Sequence, residues 1–345
     1  MTHRLKVLIV KLSSLGDVLH TLPVVHDIKT ALPNAQIDWV VERSFAGVVR
    51  RCFGVNKVIT CELRKWRKSP FSGETKNAWR VFTSDLQFEK YDAVIDLQGL
   101  TKSAAVAWLA KLSLSGKRYA MANRTEGSSY EAPTRWVADV AIRLEPHIHA
   151  VQRARELCAK ALGYQISLVQ QKNILFGLLD GVFIAGNAMN NIAKMVVFAH
   201  GSSRKDKLWP IDNWVELGLR LHEEGLGVAI VHGSDEEKLR SEKIAKELIK
   251  SQVEVNVLPR LGLDALLDVL GSSAGVVGVD SGLSHMAVAL DLPHVQIYNF
   301  DTAWRTGPLA SNQSARQVSI YAQPTPTVDA VWQAWFAVNS QTQTA

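Results

Sequence analysis

Short apolar runs rich in β-branched residues alternate along this chain with stretches whose apolar positions recur every three or four residues. Residues 6–10, 36–41 and 93–97 read as strands, with helices over 18–32, 76–86 and 102–112 between or after them. A helix over 149–162 closes the first half. This is the rhythm of a parallel sheet covered by helices. Periodicity weakens over 163–191, where the pattern predicts a single strand near 173–176. It restarts with strand 195–198, helix 211–223, strand 227–231, helices 236–248 and 263–270, strand 275–279, helix 283–290 and strand 294–298. After Pro324 and Pro326 comes an amphipathic helix, 327–339, with Val328, Val331, Trp332, Trp335 and Phe336 as its apolar stripe. The fold class predicted is α/β, with two doubly wound domains over 1–165 and 191–325, a connection at 166–190 and a terminal segment at 326–345.

The length of 345 residues agrees with two domains, because single hydrophobic cores stop growing before that size. With 47% hydrophobic and 21% charged residues the composition is that of a globular protein. Lys and Arg outnumber Asp and Glu by 39 to 33, so the field favours an anionic partner: substrate, nucleic acid or membrane surface. Cys52, Cys61 and Cys158 are widely spaced and form no CxxC or Cys/His pattern, so neither a disulfide framework nor a structural zinc site is indicated, and a reducing compartment fits best. The first residues run straight into a strand and do not read as a signal peptide. The longest apolar candidate for a membrane span, 104–112, is too short and contains Lys111. A cytoplasmic protein with at most peripheral membrane contact is expected.

Candidate chemistry sits where strands hand over to helices, the edge at which open α/β sheets bind ligands. The first such connection is Lys11-Leu12-Ser13-Ser14-Leu15-Gly16-Asp17. Asp17 there either caps the following helix or, kept ionised by the helix N-terminus, serves as a general base. In the second half, Ala199–Trp209 places Ser202, Ser203 and Lys207 as donors to phosphate oxygens, with Arg204 and Lys205 adding positive field. Asp280-Ser281-Gly282 opens a helix whose backbone N–H groups can hold a diphosphate, with His285 on its first turn. Arg64-Lys65-Trp66-Arg67-Lys68 puts four cations around one Trp, either as a solvated face or as a receiver of acidic groups. No DxD pair for a metal-held nucleotide is present; Asp235-Glu236-Glu237 reads as the acidic start of a helix.

Four segments, KLSSLGDVLHTLP (11–23), VIDLQGLTKSA (94–104), DKLWP (206–210) and VDSGLSHMAVAL (279–290), resemble glycosyltransferase family 9, the heptosyltransferase family, in the family's order. With WVVE (39–42) and RKWRK (64–68), the resemblance is to branch I of that family rather than branch II. It implies a GT-B fold, two Rossmann-like domains facing a central cleft, with the acceptor on the first domain, the nucleotide sugar on the second, and the last helix packing back on the first. It implies inverting transfer of L-glycero-D-manno-heptose from ADP-heptose to Kdo of Kdo2-lipid A at the inner membrane, without a cofactor or metal. By motif, the catalytic residues would be Asp17 as base and Lys207 at the donor phosphates. Donor contacts would be Ser202, Ser203, Lys207, Glu237, Asp280, Ser281, Gly282 and His285. Acceptor contacts would be Lys11, Ser14, Arg64, Lys65, Arg67, Lys68, Gln98 and Lys102.

The chain departs from the family pattern twice. Tyr298-Asn299-Phe300-Asp301-Thr302 stands where a Tyr-Gly-Pro-Thr-Asp stretch is usual, and 123–133 lacks an Arg-Glu-Pro signature. The competing readings are a family transferase with another acceptor or nucleotide sugar, and a basic nucleic-acid-binding protein. The latter would need an aromatic-lined basic face, and Trp66 alone sits within a cation cluster.

Overall fold

The computed structural model describes residues 4–178, 192–309 and 316–340. These form two compact units, 1–179 and 180–345. In the first, strands β1 (Lys6–Val10), β2 (Gln36–Glu42), β3 (Val55–Cys61), β4 (Tyr91–Asp96), β5 (Leu112–Met121) and β6 (Val140–Ile142) make a parallel sheet of order β3-β2-β1-β4-β5-β6. In the second, β7 (Met195–Ala199), β8 (Gly227–Ile230), β9 (Val255–Val257), β10 (Gly275–Val279), β11 (His294–Tyr298) and β12 (Gln317–Tyr321) make a parallel sheet of order β12-β11-β10-β7-β8-β9. Each order reverses once, at β1/β4 and at β7/β10, and there the loops leaving the strand ends part and open a crevice. The central strands β1, β7, β10 and β11 are buried along nearly their whole length, as strands covered on both faces must be.

Several expected elements change. The helix expected over 18–32 is two pieces, Leu15–Leu19 and Pro23–Ala31, because Pro23 lacks the N–H to continue the first and suits the start of the second. The helix expected to reach 112 stops at Leu109, freeing Leu112 to start β5. Residues 173–176 are not a strand; among the described residues the segment makes one bridge, Leu178 to Cys52. Buried Arg155 holds Asp27 through two bonds of 2.6 and 3.0 Å and also donates to the Gln170 carbonyl at 2.7 Å, fixing the helix Leu168–Lys172 to the first unit. Residues 179–191 lie outside the described set.

The helix Val328–Ser340 is built into the core of the second unit. Val328, Val331, Ala334, Trp335 and Val338 are buried in one core with Val277, Val295 and Leu217. The stripe is rotated from the one expected: Trp332 is partly buried and Phe336 is exposed. Gly275 makes this fit possible. Its φ is +153°, and a Cβ there would stand 2.7 Å from the Trp335 ring and 2.6 Å from the Pro293 carbonyl.

Candidate active site

At the β1/β4 crossing, two loops are tied into one surface. The Gln98 side-chain oxygen accepts the amides of Leu12 and Ser13 at 3.1 and 3.0 Å, and Lys102 Nζ donates to the Ser13 hydroxyl at 3.1 Å. Asp96, buried at the end of β4, accepts the amides of Gln98 and Gly99 and the Ser103 hydroxyl. Burial is the largest influence on that carboxyl, and despite those bonds and the charge of Lys11 it is pushed up to about 6. Lys11, itself 3% exposed, donates to the Leu97 carbonyl at 3.0 Å, and burial lowers its own pKa.

Asp17 stands over this floor. One oxygen, Oδ2, accepts the Ser14 amide at 3.1 Å and the Ser14 hydroxyl at 3.0 Å; the other, Oδ1, faces Lys11 Nζ at 3.5 Å and an Arg153 nitrogen at 4.0 Å. Burial alone would raise this carboxyl, but the Lys11 charge, the two Ser14 bonds and the nearby His20 outweigh it and hold Asp17 well below the usual carboxylate range. With 39% of its side chain exposed, it is an ionised carboxylate that solvent or a substrate can reach. The cap and the base are therefore compatible, since each uses a different oxygen. Arg153 was not legible as a site residue. It arrives from the helix Ala150–Leu162, where an arginine 8% exposed amid Val151, Ala154 and Leu157 was the available signal. Its other nitrogen donates to Thr125, which links the divergent 123–133 segment to the Asp17 neighbourhood.

The RKWRK segment is the helix Leu63–Lys68, directly after β3. Arg64, Lys65, Arg67 and Lys68 are exposed and Trp66 is buried. Lys65 is held by Glu74 at 2.6 Å. Glu42, at the end of β2, lies within the fields of both Lys102 and Arg64, yet burial, its largest influence, raises its pKa.

At the β7/β10 crossing, Lys207 Nζ donates to Asp280 Oδ2 at 2.5 Å, and His285 Nε2 stands 3.4 Å from Asp280 Oδ1. Burial would raise Asp280; the His285 bond and charge, then Lys207, outweigh it and hold it well below the carboxylate range. The Asp280 carboxylate is thus engaged with these two side chains. Ser281 carries a buried hydroxyl that has no partner among the described residues, and next to it the backbone of Gly282 begins the helix Gly282–Ala289. Ser202 Oγ reaches the Asp280 carbonyl at 3.5 Å, while Ser203 is exposed.

The divergent Asn299 braces the same loop, donating to the carbonyls of Asp206 and Leu208 and accepting from Thr325. Arg204 lies over the Phe300 ring, 5.5 Å from its centroid. Beside Ser202 a cavity of about 700 Å³ is lined by Gly201, Ser203, Gly233, Glu237 and Arg240. Glu237 accepts the Gly233 amide at 2.6 Å and packs so closely on Gly201 that a Cβ there would overlap its carboxylate. His200, buried against Ser241, is pushed down to about 4 by burial and then by Arg240, so it is a neutral structural group.

Two Rossmann-like domains, one carrying a solvent-reachable carboxylate and the other a cation-and-hydroxyl set at a helix N-terminus, define a nucleotide-sugar glycosyltransferase of the GT-B class. The family model for glycosyltransferase family 9 (heptosyltransferase) matches residues 79–333, and the chain belongs to that family. It is similar to lipopolysaccharide heptosyltransferase 1 of Escherichia coli K12, at 36% identity over 90% of this chain and 92% of that protein. The Pseudomonas aeruginosa protein of the same name is 35% identical over 90% of this chain and 82% of its own length. Among solved structures, E. coli heptosyltransferase WaaC with ADP superposes with a TM-score of 0.82 at 33% identity, covering 95% of this chain and 98% of that one. E. coli ADP-heptose lps heptosyltransferase II, at 21% identity and a TM-score of 0.76 over 98% of this chain and 100% of that one, shares the fold. No helix among the described residues is long and apolar enough to cross a membrane.

Proposed function

We propose that this chain transfers L-glycero-D-manno-heptose from ADP-heptose to a Kdo hydroxyl of Kdo2-lipid A, with inversion, at the cytoplasmic face of the inner membrane. The observation that carries the reading is Oδ1 of Asp17: ionised, reachable, and set beside cations suited to an acidic acceptor. Asp17 takes the proton of the acceptor hydroxyl as its oxygen forms a bond to the anomeric carbon. The bond from that carbon to the diphosphate oxygen breaks with its electron pair, and ADP departs. Lys207, the Ser281 hydroxyl and the start of the helix Gly282–Ala289 stabilise the negative charge that grows on the diphosphate. Glu237 takes the ribose hydroxyls in the cavity beside Gly201, and Arg64, Arg67, Lys68 and Lys102 meet acceptor carboxylates and phosphates.

The names of the relatives support this choice of donor and pathway. The test is incubation of the protein with ADP-heptose and Kdo2-lipid A, followed by mass detection of the product and of ADP. One heptose added per acceptor is expected. Folded protein that binds ADP but adds no heptose would move the proposal to another acceptor for the same fold.

A further inference from the structure

The helices Leu63–Lys68 and Gly73–Leu86 frame a groove of about 620 Å³ that shares no lining residue with the Asp17 cluster. Its apolar lining is Leu63, Trp66, Pro70 and Trp79. Trp66 meets Trp79 edge-on at 5.7 Å, and both rest against Phe82. Arg67, Lys76 and Arg80 also line the groove, and no acidic residue does. Two features go beyond ordinary packing. Trp66 is 7% exposed, yet its indole N–H finds no acceptor among the described residues, a state a folded protein normally avoids. Phe71, in the turn between the helices, is 86% exposed beside Pro70.

We propose that this groove receives an acyl chain of an anionic bilayer lipid, with Phe71 inserted at the boundary between headgroups and hydrocarbon. The occupant must bring hydrocarbon for the Trp66–Trp79 floor and negative charge for Arg67, Lys76 and Arg80. A phospholipid carries both on one molecule. An exposed aromatic flanked by cations and set on a short helical hairpin is how proteins grip a membrane interface without crossing it. A polyanion such as nucleic acid meets the cations but leaves the floor and Phe71 in water. The inference rests on the reading above, in which the acceptor is a membrane lipid, and adds a second lipid site beside the acceptor contacts, with Arg67 common to both.

The test is sedimentation of the full chain with phosphatidylglycerol vesicles and with phosphatidylcholine vesicles, at low and high salt. The wild type should pellet with phosphatidylglycerol vesicles and far less with phosphatidylcholine. Phe71→Ser and Trp79→Gln should each weaken vesicle binding by about tenfold or more, the scale of withdrawing one large side chain from hydrocarbon. Phe71→Ser touches an exposed side chain and keeps the fold, so its result decides even where Trp79→Gln loses thermal stability. Heptose transfer to a deacylated, water-soluble acceptor should stay at the wild-type rate in Phe71→Ser. A wild type that leaves phosphatidylglycerol vesicles in the supernatant, or a Phe71→Ser protein that pellets like the wild type, overturns the proposal. Loss of all binding at high salt, with Phe71→Ser identical throughout, also overturns it. Vesicle binding as described with no transfer to any heptose acceptor would overturn the proposed reaction and leave the lipid groove standing.

Discussion

The Lys11 ammonium stands 3.5 Å from Oδ1 of Asp17, the oxygen that the Ser14 cap leaves open. A carboxylate pulled down by such a neighbour stays ionised across the working pH range but attracts a proton weakly.

The acid limb of the rate profile should therefore respond to Lys11. In the wild type, kcat/KM should not fall on account of Asp17 anywhere above about pH 5, because its pKa lies below the ordinary value of about 3.9. In Lys11→Met the burial of Asp17 is no longer opposed by that charge, and the acid limb should move to higher pH. Asp17→Asn keeps an oxygen for the Ser14 amide, so it should fold normally while kcat drops by roughly 10²- to 10⁴-fold. Equal pH profiles for wild type and Lys11→Met would remove the coupling from the mechanism.

Lys207 and Asp280 form a second pair, joined at 2.5 Å with Asp280 8% exposed. Lys207→Met should lose roughly 10²- to 10³-fold in kcat, the scale of removing one charge-stabilising donor. It should also lower Tm, because a buried carboxylate is left with His285 alone. Adding Asp280→Asn should restore Tm but not turnover. With Lys207 serving the diphosphate, wild-type turnover should also survive EDTA; activity abolished by EDTA and restored by magnesium would assign that role to a cation instead.

Gly201→Ala is a narrow probe of the donor cavity. The new Cβ would overlap the Glu237 carboxylate, the end of a flexible side chain, so the cost falls on Glu237's position rather than on the fold. ADP affinity measured by calorimetry should weaken by about tenfold with Tm nearly unchanged. Unaltered ADP binding would place the ribose away from Glu237.

Asp96 gives the fold a pH signature of opposite sense to that of Asp17. Its folded pKa of about 6 lies above the unfolded value of about 3.9, so its contribution is fully present below pH 4 and is lost as pH rises through 6. Asp17, depressed in the fold, contributes above the unfolded value and loses that contribution as pH falls below it. Asp96→Asn still accepts the Gln98 and Gly99 amides and should flatten the change in Tm between pH 4 and 6. A Tm slope identical to that of the wild type would show that Asp96 is not the titrating group.

What the sequence revealed follows from burial. Strands β10 and β11 matched their expected spans because both are short, fully buried runs, β10 wholly apolar and β11 apolar at Val295, Ile297 and Tyr298. β3, β9 and β12 were missed: they lie at or next to the sheet edges, are only partly buried, and carry Asn56, Lys57, Asn256 and Ser319. β5 was hidden by Gly116, Lys117 and Arg118 and by a register shift against β4. The helix Leu63–Lys68 read as a charge run, since only Trp66 faces inward.

The candidate residues at strand-to-helix connections, Asp17, Lys207 and Asp280, could be placed from the sequence because topology fixes where each such connection lies within its own sheet. The Gln98 clamp, Arg153 and Asn299 could not, because each acts through a contact between segments distant in sequence.

The seating of Trp335 against Gly275 bears on how the protein is made. The ribosome releases β7 to β12 before the helix Val328–Ser340, yet that helix supplies Val331, Trp335 and Val338 to the core under their sheet. During synthesis the second domain must wait, its hydrophobic face exposed to chaperones, until nearly its last turn has left the exit tunnel. The first domain, whose sheet and helices come entirely from earlier residues, has no such delay. A nascent chain stalled just before Val328 should thus hold one folded domain and one protease-sensitive one.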